Sequence, residues 1–474
     1  MHGSHPTPIG APHVAPILVG APSHRKCRGD HPGRPQGDQP VPAKIGIISL
    51  GCAKNLVNSE QMMYLLSSAG YRVSGDTDGA DVVIINTCAF IENAKTEAIE
   101  TILEFAAEKV AGRIGKLIVA GCLGQRYKNE ILSELPEIDA VVGTGSFDDI
   151  VQCVEGNETA FFGDINSPVS ETDRIISTSP VWTYIKIAEG CDNRCAYCCI
   201  PSIRGSYRSR PIENIIAEAT RLTDRGIREL ILVAQDVTRY GYDIYGKRRL
   251  TDLLIALENI EKLKWIRLHY LYPDEIDNEL IDVIAKSDRI LKYLDIPIQH
   301  INDKILRKMH RRGSGEDIKK LIGRVRERIP GVVLRTSLIT GLPGEGQDEF
   351  GQLCEFLQEF KIERAGVFAY SPEEGTAAAK MKRPSKATAA DRAEQLRDLQ
   401  AEIMFRWNER RIGTSETVLV ENTPQKSGRL ARSYAESPDV DGYINIEGKN
   451  IRANTFIDIR ITGIENGELV GEPQ

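Results

Sequence analysis

The chain has 474 residues, 41% hydrophobic and 27% charged, with a formal net charge of −7. That length predicts about three domains with real cores, and the acidic balance argues against a broad nucleic-acid-binding surface, though not against a local basic patch. No apolar run reaches the ~18 residues of a membrane span, so a soluble cytoplasmic protein without a membrane partner is expected.

Residues 1–43 are dense in Gly and Pro and hold five of the eight histidines (His2, His5, His13, His24 and His31) without any helical or strand period. A disordered extension or a misassigned start is expected there, with metal binding through the histidines as the lesser alternative. Its apolar stretch, Ala15 to Gly20, is short and broken by Pro16, unlike the core of an export signal. Disulfides are therefore not expected, and the ten cysteines are read as metal ligands, catalytic thiols or small buried hydrophobes. Cys27 belongs to the extension. Cys153 reads as buried, as does Cys354, which shares an apolar helix face with Phe350 and Leu357.

Residues 44–163 alternate strand and helix. Strands are predicted from Ile45 to Leu50, Val82 to Ile85, Leu117 to Ala120 and at Val141-Val142. Helices are predicted from Asn58 to Ala69 and from Ile91 to Val110, the latter with Ile99, Ile102 and Leu103 at helical spacing. This pattern predicts a doubly wound parallel sheet. Cys52, Cys88 and Cys122 then all fall just beyond strand carboxyl ends, the edge at which open α/β sheets bind ligands. Cysteines 36 and 34 residues apart can meet there, whereas unrelated buried cysteines have no reason to follow successive strands.

A linker rich in Ser, Thr and Pro spans about 164–180, and alternation resumes across 177–410. Six strands are predicted, at Tyr184–Ile187, Leu230–Val233, Trp265–Tyr270, Tyr293–Ile298, Val332–Ile339 and Ala365–Phe368, with helices such as Ile212–Arg225 and Thr251–Ile260 between them. Six repeats predict a partial (β/α)6 barrel, closed off by a polar helix from Lys386 to Arg411. In 411–474, short strands at Glu416–Val420, Tyr443–Ile446, Thr455–Ile461 and Glu468–Val470 predict a small antiparallel barrel.

The strongest chemical signal is Glu189-Gly190-Cys191-Asp192-Asn193-Arg194-Cys195-Ala196-Tyr197-Cys198. Thiolates are soft ligands suited to iron–sulfur clusters, which usually take four of them; C-x₃-C-x₂-C supplies three and leaves one iron open. Structural zinc normally uses paired C-x₂-C knuckles, and no second knuckle is present. Cys199 is a possible fourth ligand, but it points away from Cys198 and packing is the favoured role.

This loop, placed after the first barrel strand with an aromatic residue before its last cysteine, resembles the radical S-adenosylmethionine (SAM) superfamily. The resemblance implies that Cys191, Cys195 and Cys198 hold a 4Fe–4S cluster whose open iron chelates SAM, and that an electron from it yields a deoxyadenosyl radical. It extends to Ser337-Leu338-Ile339-Thr340-Gly341-Leu342-Pro343-Gly344-Glu345, similar to the fifth-strand motif beside the adenine, and to Ala369-Tyr370-Ser371-Pro372 after the sixth strand. Gln235 and Asp236 stand where the superfamily often has a Gly-Gly-Glu-like element. By this resemblance Tyr197, Gln235, Asp236, Arg335, Ser337 and Gly341 are candidate SAM-binding residues, Arg335 because burial inside a strand demands a partner and the SAM carboxylate is one.

A three-cysteine sheet, a radical SAM barrel and a small barrel of TRAM type together resemble the methylthiotransferases over about residues 44–474. The resemblance implies a second, auxiliary 4Fe–4S cluster at Cys52, Cys88 and Cys122 that carries the sulfur to be inserted. It also implies two uses of SAM: methyl donation, and hydrogen abstraction from an unactivated carbon. Such C–H bonds lack an acidic proton, so cofactor radical chemistry is needed. An external electron donor is required.

Within that family, Ser49-Leu50-Gly51-Cys52-Ala53-Lys54-Asn55, Asn86-Thr87-Cys88-Ala89-Phe90-Ile91 and Gly121-Cys122-Leu123-Gly124-Gln125 resemble the branch that modifies an aspartate β-carbon in ribosomal protein S-twelve. So do Gln235-Asp236-Val237-Thr238-Arg239-Tyr240-Gly241 and Tyr293-Leu294-Asp295-Ile296-Pro297-Ile298-Gln299-His300; Asn58, where aspartate is usual, departs from it. Residues 411–474 carry seven Lys or Arg against ten Asp or Glu, whereas a tRNA-binding barrel needs a basic face. An acidic one suits a basic ribosomal protein, with Glu436-Ser437-Pro438-Asp439-Val440-Asp441-Gly442 as its most acidic loop and a solvated hairpin turn as the plainer reading. Direct action on tRNA is not expected. A tRNA-adenosine methylthiotransferase is the first alternative and a non-catalytic iron–sulfur carrier the second. Arg204, Arg208 and Arg210 either face a carboxylate or are solvated, and His300 either lines the barrel mouth or caps the next helix.

Overall fold

The computed structural model describes residues 43–425, 428–448 and 450–474. The 1–43 extension, but for its last residue, lies outside the described residues, and so do Cys27 and the five early histidines. Two compact units divide the chain, one ending at Thr178 and the other running from Ser179 to Gln474. Among the described residues no helix is long and apolar enough to cross a membrane.

The first unit is an all-parallel sheet of β1 (Lys44–Ser49), β2 (Arg72–Ser74), β3 (Val82–Thr87), β4 (Lys116–Gly121), β5 (Ala140–Val142) and β6 (Ala160–Phe161), in the order 2-1-3-4-5-6. β3 is buried along its whole length, the burial expected of a central strand covered on both faces. Helix α1 (Ala53–Ser68) begins five residues earlier than the predicted Asn58, because its first turns are polar yet buried: Asn55, Ser59 and Glu60 bond into the sheet edge and the following chain. Helix α2 (Glu92–Val110) buries Ala98, Ile102 and Ala106, while Ile99 and Leu103 are exposed, against the apolar stripe predicted through them. The predicted linker is not free chain, since Arg174 is buried against Glu60 and the Ser177 N–H donates to the same carboxylate at 2.7 Å.

The second unit opens with β7 (Trp182–Lys186), followed by a two-residue pair, β8 (Ala188–Glu189) with β9 (Arg208–Ser209). β10 (Glu229–Val233), β11 (Trp265–Leu268), β12 (Ile290–Asp295), β13 (Val333–Thr340) and β14 (Arg364–Ala369) complete a parallel six-stranded sheet, ordered 14-13-12-11-10-7 and unclosed between β14 and β7. That is the predicted partial barrel. A long helix, Lys386–Glu409, packs on β14 and leads to the last five strands.

These are β15 (Ser415–Gln425), β16 (Gly428–Arg432), β17 (Ile444–Glu447), β18 (Phe456–Glu465) and β19 (Glu468–Pro473), a closed barrel around Val418, Val420, Ile444, Ile459 and Ile461. It differs from the prediction twice. β16 is an additional strand, and β17 pairs with β19 in parallel, so the barrel is not wholly antiparallel.

Candidate functional site

In the first unit Cys52, Cys88 and Cys122 follow β1, β3 and β4, which are neighbours in the sheet. Close backbone packing sets this edge. Gly51 has φ 88°, and a Cβ there would fall 2.5 Å from Cys88 Cβ and 3.0 Å from its Sγ. Gly121 (φ 92°) would meet Asn86 Oδ1 and the Thr87 carbonyl, the latter at 2.7 Å. Only glycine lets each strand end approach its neighbour this closely. Asn55 Nδ2 donates to the Leu50 carbonyl (2.7 Å) and the Asn86 carbonyl (3.2 Å), and the Thr87 hydroxyl donates to the Ala120 carbonyl (2.6 Å). Cys52 is the N-cap residue of α1, and Cys122 opens the short helix α3 (Cys122–Tyr127), so two of the three cysteines stand at helix amino termini.

In the second unit the loop bearing Cys191, Cys195 and Cys198 is held at several points. The Ala196 N–H donates to the Met309 carbonyl (3.0 Å), and the Ala196 carbonyl accepts from the Ala378 N–H (2.8 Å). The Cys191 N–H donates to the Gly205 carbonyl (3.1 Å), and Asn193 Nδ2 donates to Asp236 Oδ2 (2.8 Å). Ala196, Met309, Leu342 and Tyr370 form an apolar floor behind the cysteines, with Tyr197 packed against it. Burial pushes the Cys191 thiol up to about 11 and the Cys198 thiol well above its ordinary value, with neighbouring acids and thiols adding to the first rise and neighbouring thiols to the second. Cys199 is buried and caps the short Ile200–Arg204 helix, a packing position.

The candidate SAM residues separate. Gln235 Nε2 donates to Glu189 Oε1 (2.9 Å), and Glu189 Oε2 also receives Lys186 (3.0 Å) and Arg204 (3.1 Å), a buried polar group beside the cysteine loop. Asp236 is buried, and burial raises its carboxyl despite hydrogen bonds from Thr238 and Asn193; its visible work is to hold the loop through Asn193. The Gly341 N–H donates to Glu345 Oε1 (2.9 Å), which also pairs with Arg392 (2.8 Å). Ser337, half-buried, gives its carbonyl to the Gln299 N–H (2.9 Å).

Arg335 stands apart from these. Its partners are carboxylates of the protein, Asp295 at 3.0 Å and Asp441 at 3.5 Å, so its burial needs no SAM carboxylate. Of the arginines after the loop, Arg204 joins Glu189, Arg208 bonds backbone carbonyls and Arg210 pairs with Glu218 (2.7 Å). His300 does cap: its Nδ1 accepts from the Asn302 N–H (3.0 Å), while Nε2 faces Glu345 at 3.4 Å. Cys153 is buried, and burial raises its thiol to about 12; Cys354 is only half-buried, contrary to its predicted core position. Arg311, which no motif marks, has Nη1 3.9 Å from Cys195 Sγ.

The residues of the barrel strands that meet the 432–441 segment carry a different arrangement. Glu229 is clamped between Arg267 and Arg432, both at 2.9 Å, and Arg432 reaches Glu421 at 2.6 Å. Glu436 holds Arg364 (2.8 Å) and Arg411 (2.6 Å), Asp441 accepts from the Tyr293 hydroxyl (2.5 Å), and Ser437 meets His269 (2.8 Å). The loop predicted to present acidity to a partner thus turns Glu436 and Asp441 inward onto the barrel. Four of the ten carboxylates counted in 411–474 (Glu416, Glu421, Glu436 and Asp441) lie in such ion pairs, so that count does not describe a surface.

The two triads suit iron–sulfur clusters by their donors. Among the described residues no three His, Cys, Asp or Glu side chains close together as around a single metal ion. A four-iron cluster instead needs soft donors around a shared space.

A parallel partial barrel with three cysteines in the loop after its first strand is a radical SAM fold, and residues 185–357 match the radical SAM superfamily model. Residues 44–143 match the uncharacterized protein family UPF0004 and residues 412–473 the TRAM domain. Two solved structures of the radical SAM methyltransferase TsrM from Kitasatospora setae share the fold. One has TM-score 0.54 and 15% identity, covering 72% of this chain and 77% of that one; the other has TM-score 0.52 and 14% identity, covering 81% and 79%. Curated relatives named ribosomal protein uS12 methylthiotransferase RimO are far more similar in sequence. That of Acetivibrio thermocellus is 46% identical, covering 90% of this chain and 98% of its own length, and that of Lachnoclostridium phytofermentans is 44% identical, covering 90% and 99%. The chain belongs to this RimO family of radical SAM methylthiotransferases. Membership of the superfamily implies SAM and a 4Fe–4S cluster.

Proposed function

We propose that this enzyme transfers a methylthio group to the β-carbon of an aspartate in ribosomal protein uS12, using two 4Fe–4S clusters and SAM in the cytoplasm. In this reading residues 44–163 hold the auxiliary cluster through Cys52, Cys88 and Cys122. Residues 177–410 hold the SAM-binding cluster through Cys191, Cys195 and Cys198, and 411–474 serve substrate binding. The observation that carries it is the succession of three cysteines after three neighbouring strands, β1, β3 and β4, in addition to the C-x₃-C-x₂-C loop. Bound there, the clusters and SAM supply the radical hydrogen abstraction and the sulfur, with electrons from an external low-potential donor. The chain's own part is positional. Asp236 and Asn193 fix the cysteine loop, Glu345 fixes the turn at Gly341, and the apolar floor of Ala196, Met309 and Leu342 keeps water from its inner side. The names of the relatives support uS12 as the substrate.

Reconstituted enzyme incubated separately with uS12 and with tRNA, followed by mass spectrometry, tests this. A methylthio mass increment on one aspartate of uS12 is expected, absent for Cys52→Ala although that variant still cleaves SAM. Modification of tRNA and not of uS12 would overturn the substrate.

A further inference from the structure

Arg311 is buried, and its guanidinium has an unusual set of partners. Nη2 donates to the Pro297 carbonyl (2.5 Å), the group lies over the Tyr272 ring at 4.3 Å, and Nη1 is 3.9 Å from Cys195 Sγ. Among the described residues no carboxylate is within ion-pair distance. Among the described residues every other buried arginine has a glutamate: Arg174 has Glu60, Arg210 has Glu218, Arg392 has Glu345, and the arginines at the barrel base share Glu229 and Glu436. Arg204, the nearest comparison, has Glu189. A guanidinium keeps its proton, and a buried charge without a counter-ion costs several kcal/mol. Arg311 therefore calls for an anion that the described carboxylates do not supply.

The position of Arg311 is held from both sides. His310 takes a left-handed conformation (φ 55°), and the Arg311 N–H donates to the Leu306 carbonyl (2.8 Å), which directs the side chain back toward the cysteine loop. Met309, two residues earlier, accepts the hydrogen bond from Ala196. The backbone that presents Cys195 and the backbone that presents Arg311 are thus tied to each other.

We propose that Arg311 is the counter-ion of the iron–sulfur cluster held by Cys191, Cys195 and Cys198, and that its charge raises the cluster's reduction potential. It is a positioning and tuning residue. Reduction adds one electron from a low-potential donor to a cluster already ringed by thiolates, and a fixed cation beside one of them stabilises the reduced form more than the oxidised form. Arg312 is a built-in control. It lies over the same Tyr272 ring at 4.7 Å, but its charge is met by Asp274 (2.7 Å) and Glu275 (2.9 Å).

The inference rests on the reading of Cys195 as a cluster ligand, and the test separates the two. The full chain carrying Cys52→Ala, Cys88→Ala and Cys122→Ala, reconstituted with iron and sulfide, is titrated with dithionite and followed by electron paramagnetic resonance without SAM. Arg311→Gln is expected to make reduction about tenfold less favourable, a midpoint lowered by about 59 mV for one electron. Arg311→Lys should stay near the parent and Arg312→Gln should match it. A Gln variant with the parent's midpoint overturns the proposal. If the Gln variant takes up no iron, the Lys variant decides: loading with a near-parental midpoint supports the proposal, and failure to load overturns it. A parent that forms no cluster overturns the ligand assignment instead.

Discussion

The two ends of the central barrel differ in what remains once their buried charges are paired. On the side facing the small barrel the buried carboxylates are matched: Glu229 with Arg267 and Arg432, Glu436 with Arg364 and Arg411, Asp295 and Asp441 with Arg335. At the carboxyl-terminal ends, polar atoms stay open. Among the described residues Asn193 Oδ1 and Gln235 Oε1 are buried without a hydrogen-bond partner, and Arg311 has no carboxylate at ion-pair distance. Buried polar groups are rarely left unsatisfied unless a ligand completes them. The closed end joins the small barrel to the large one, and the cysteine loop stands at the other, the division expected of a barrel whose chemistry sits at the carboxyl ends of its strands.

This contrast can be broken most forcefully at Glu229. Glu229→Gln leaves two buried arginines short of a charge, and removing one partner of such a pair costs about 3–5 kcal/mol. Urea denaturation should show that loss, while iron content and SAM cleavage per folded molecule stay at the wild-type level; a fall in SAM cleavage with unchanged stability would reverse the roles given to the two ends. A smaller effect is expected from pH. Burial alone would raise the Glu436 carboxyl, but Arg411 and Arg364 outweigh it and hold the group down at about 2. A carboxyl depressed on folding contributes stability above its unfolded value, ~4.3, and loses it as pH falls toward the folded one. Unfolding free energy should therefore decline between about pH 4.5 and 2 in the wild type, and Glu436→Gln should decline less over that window.

Much of this was legible in the sequence. The six barrel strands and the cysteine loop are local signals, apolar runs and thiol spacing, and all six strands lie within a few residues of their predicted bounds. What was missed depends on contacts distant in sequence. The start of α1 carries no apolar period, because Asn55 and Ser59 are buried by bonding strand ends rather than by hydrophobic packing. No strand was expected at β16, whose Arg432 is paired with Glu229 about 200 residues away. The acidic loop looked exposed for the same reason, and Arg311 has no motif around it. Charge in a sequence gives composition; whether it faces solvent is set by partners the sequence does not name.

The central claim is that the chain holds two clusters on two cysteine triads, and iron and sulfide analysis with Mössbauer spectroscopy on anaerobically reconstituted protein tests it most directly. Wild type is expected to hold about eight irons per chain, falling to about four when either triad is replaced by alanine, with a four-iron spectrum remaining in each case. About four irons in wild type, unchanged by loss of Cys52, Cys88 and Cys122, would contradict the account.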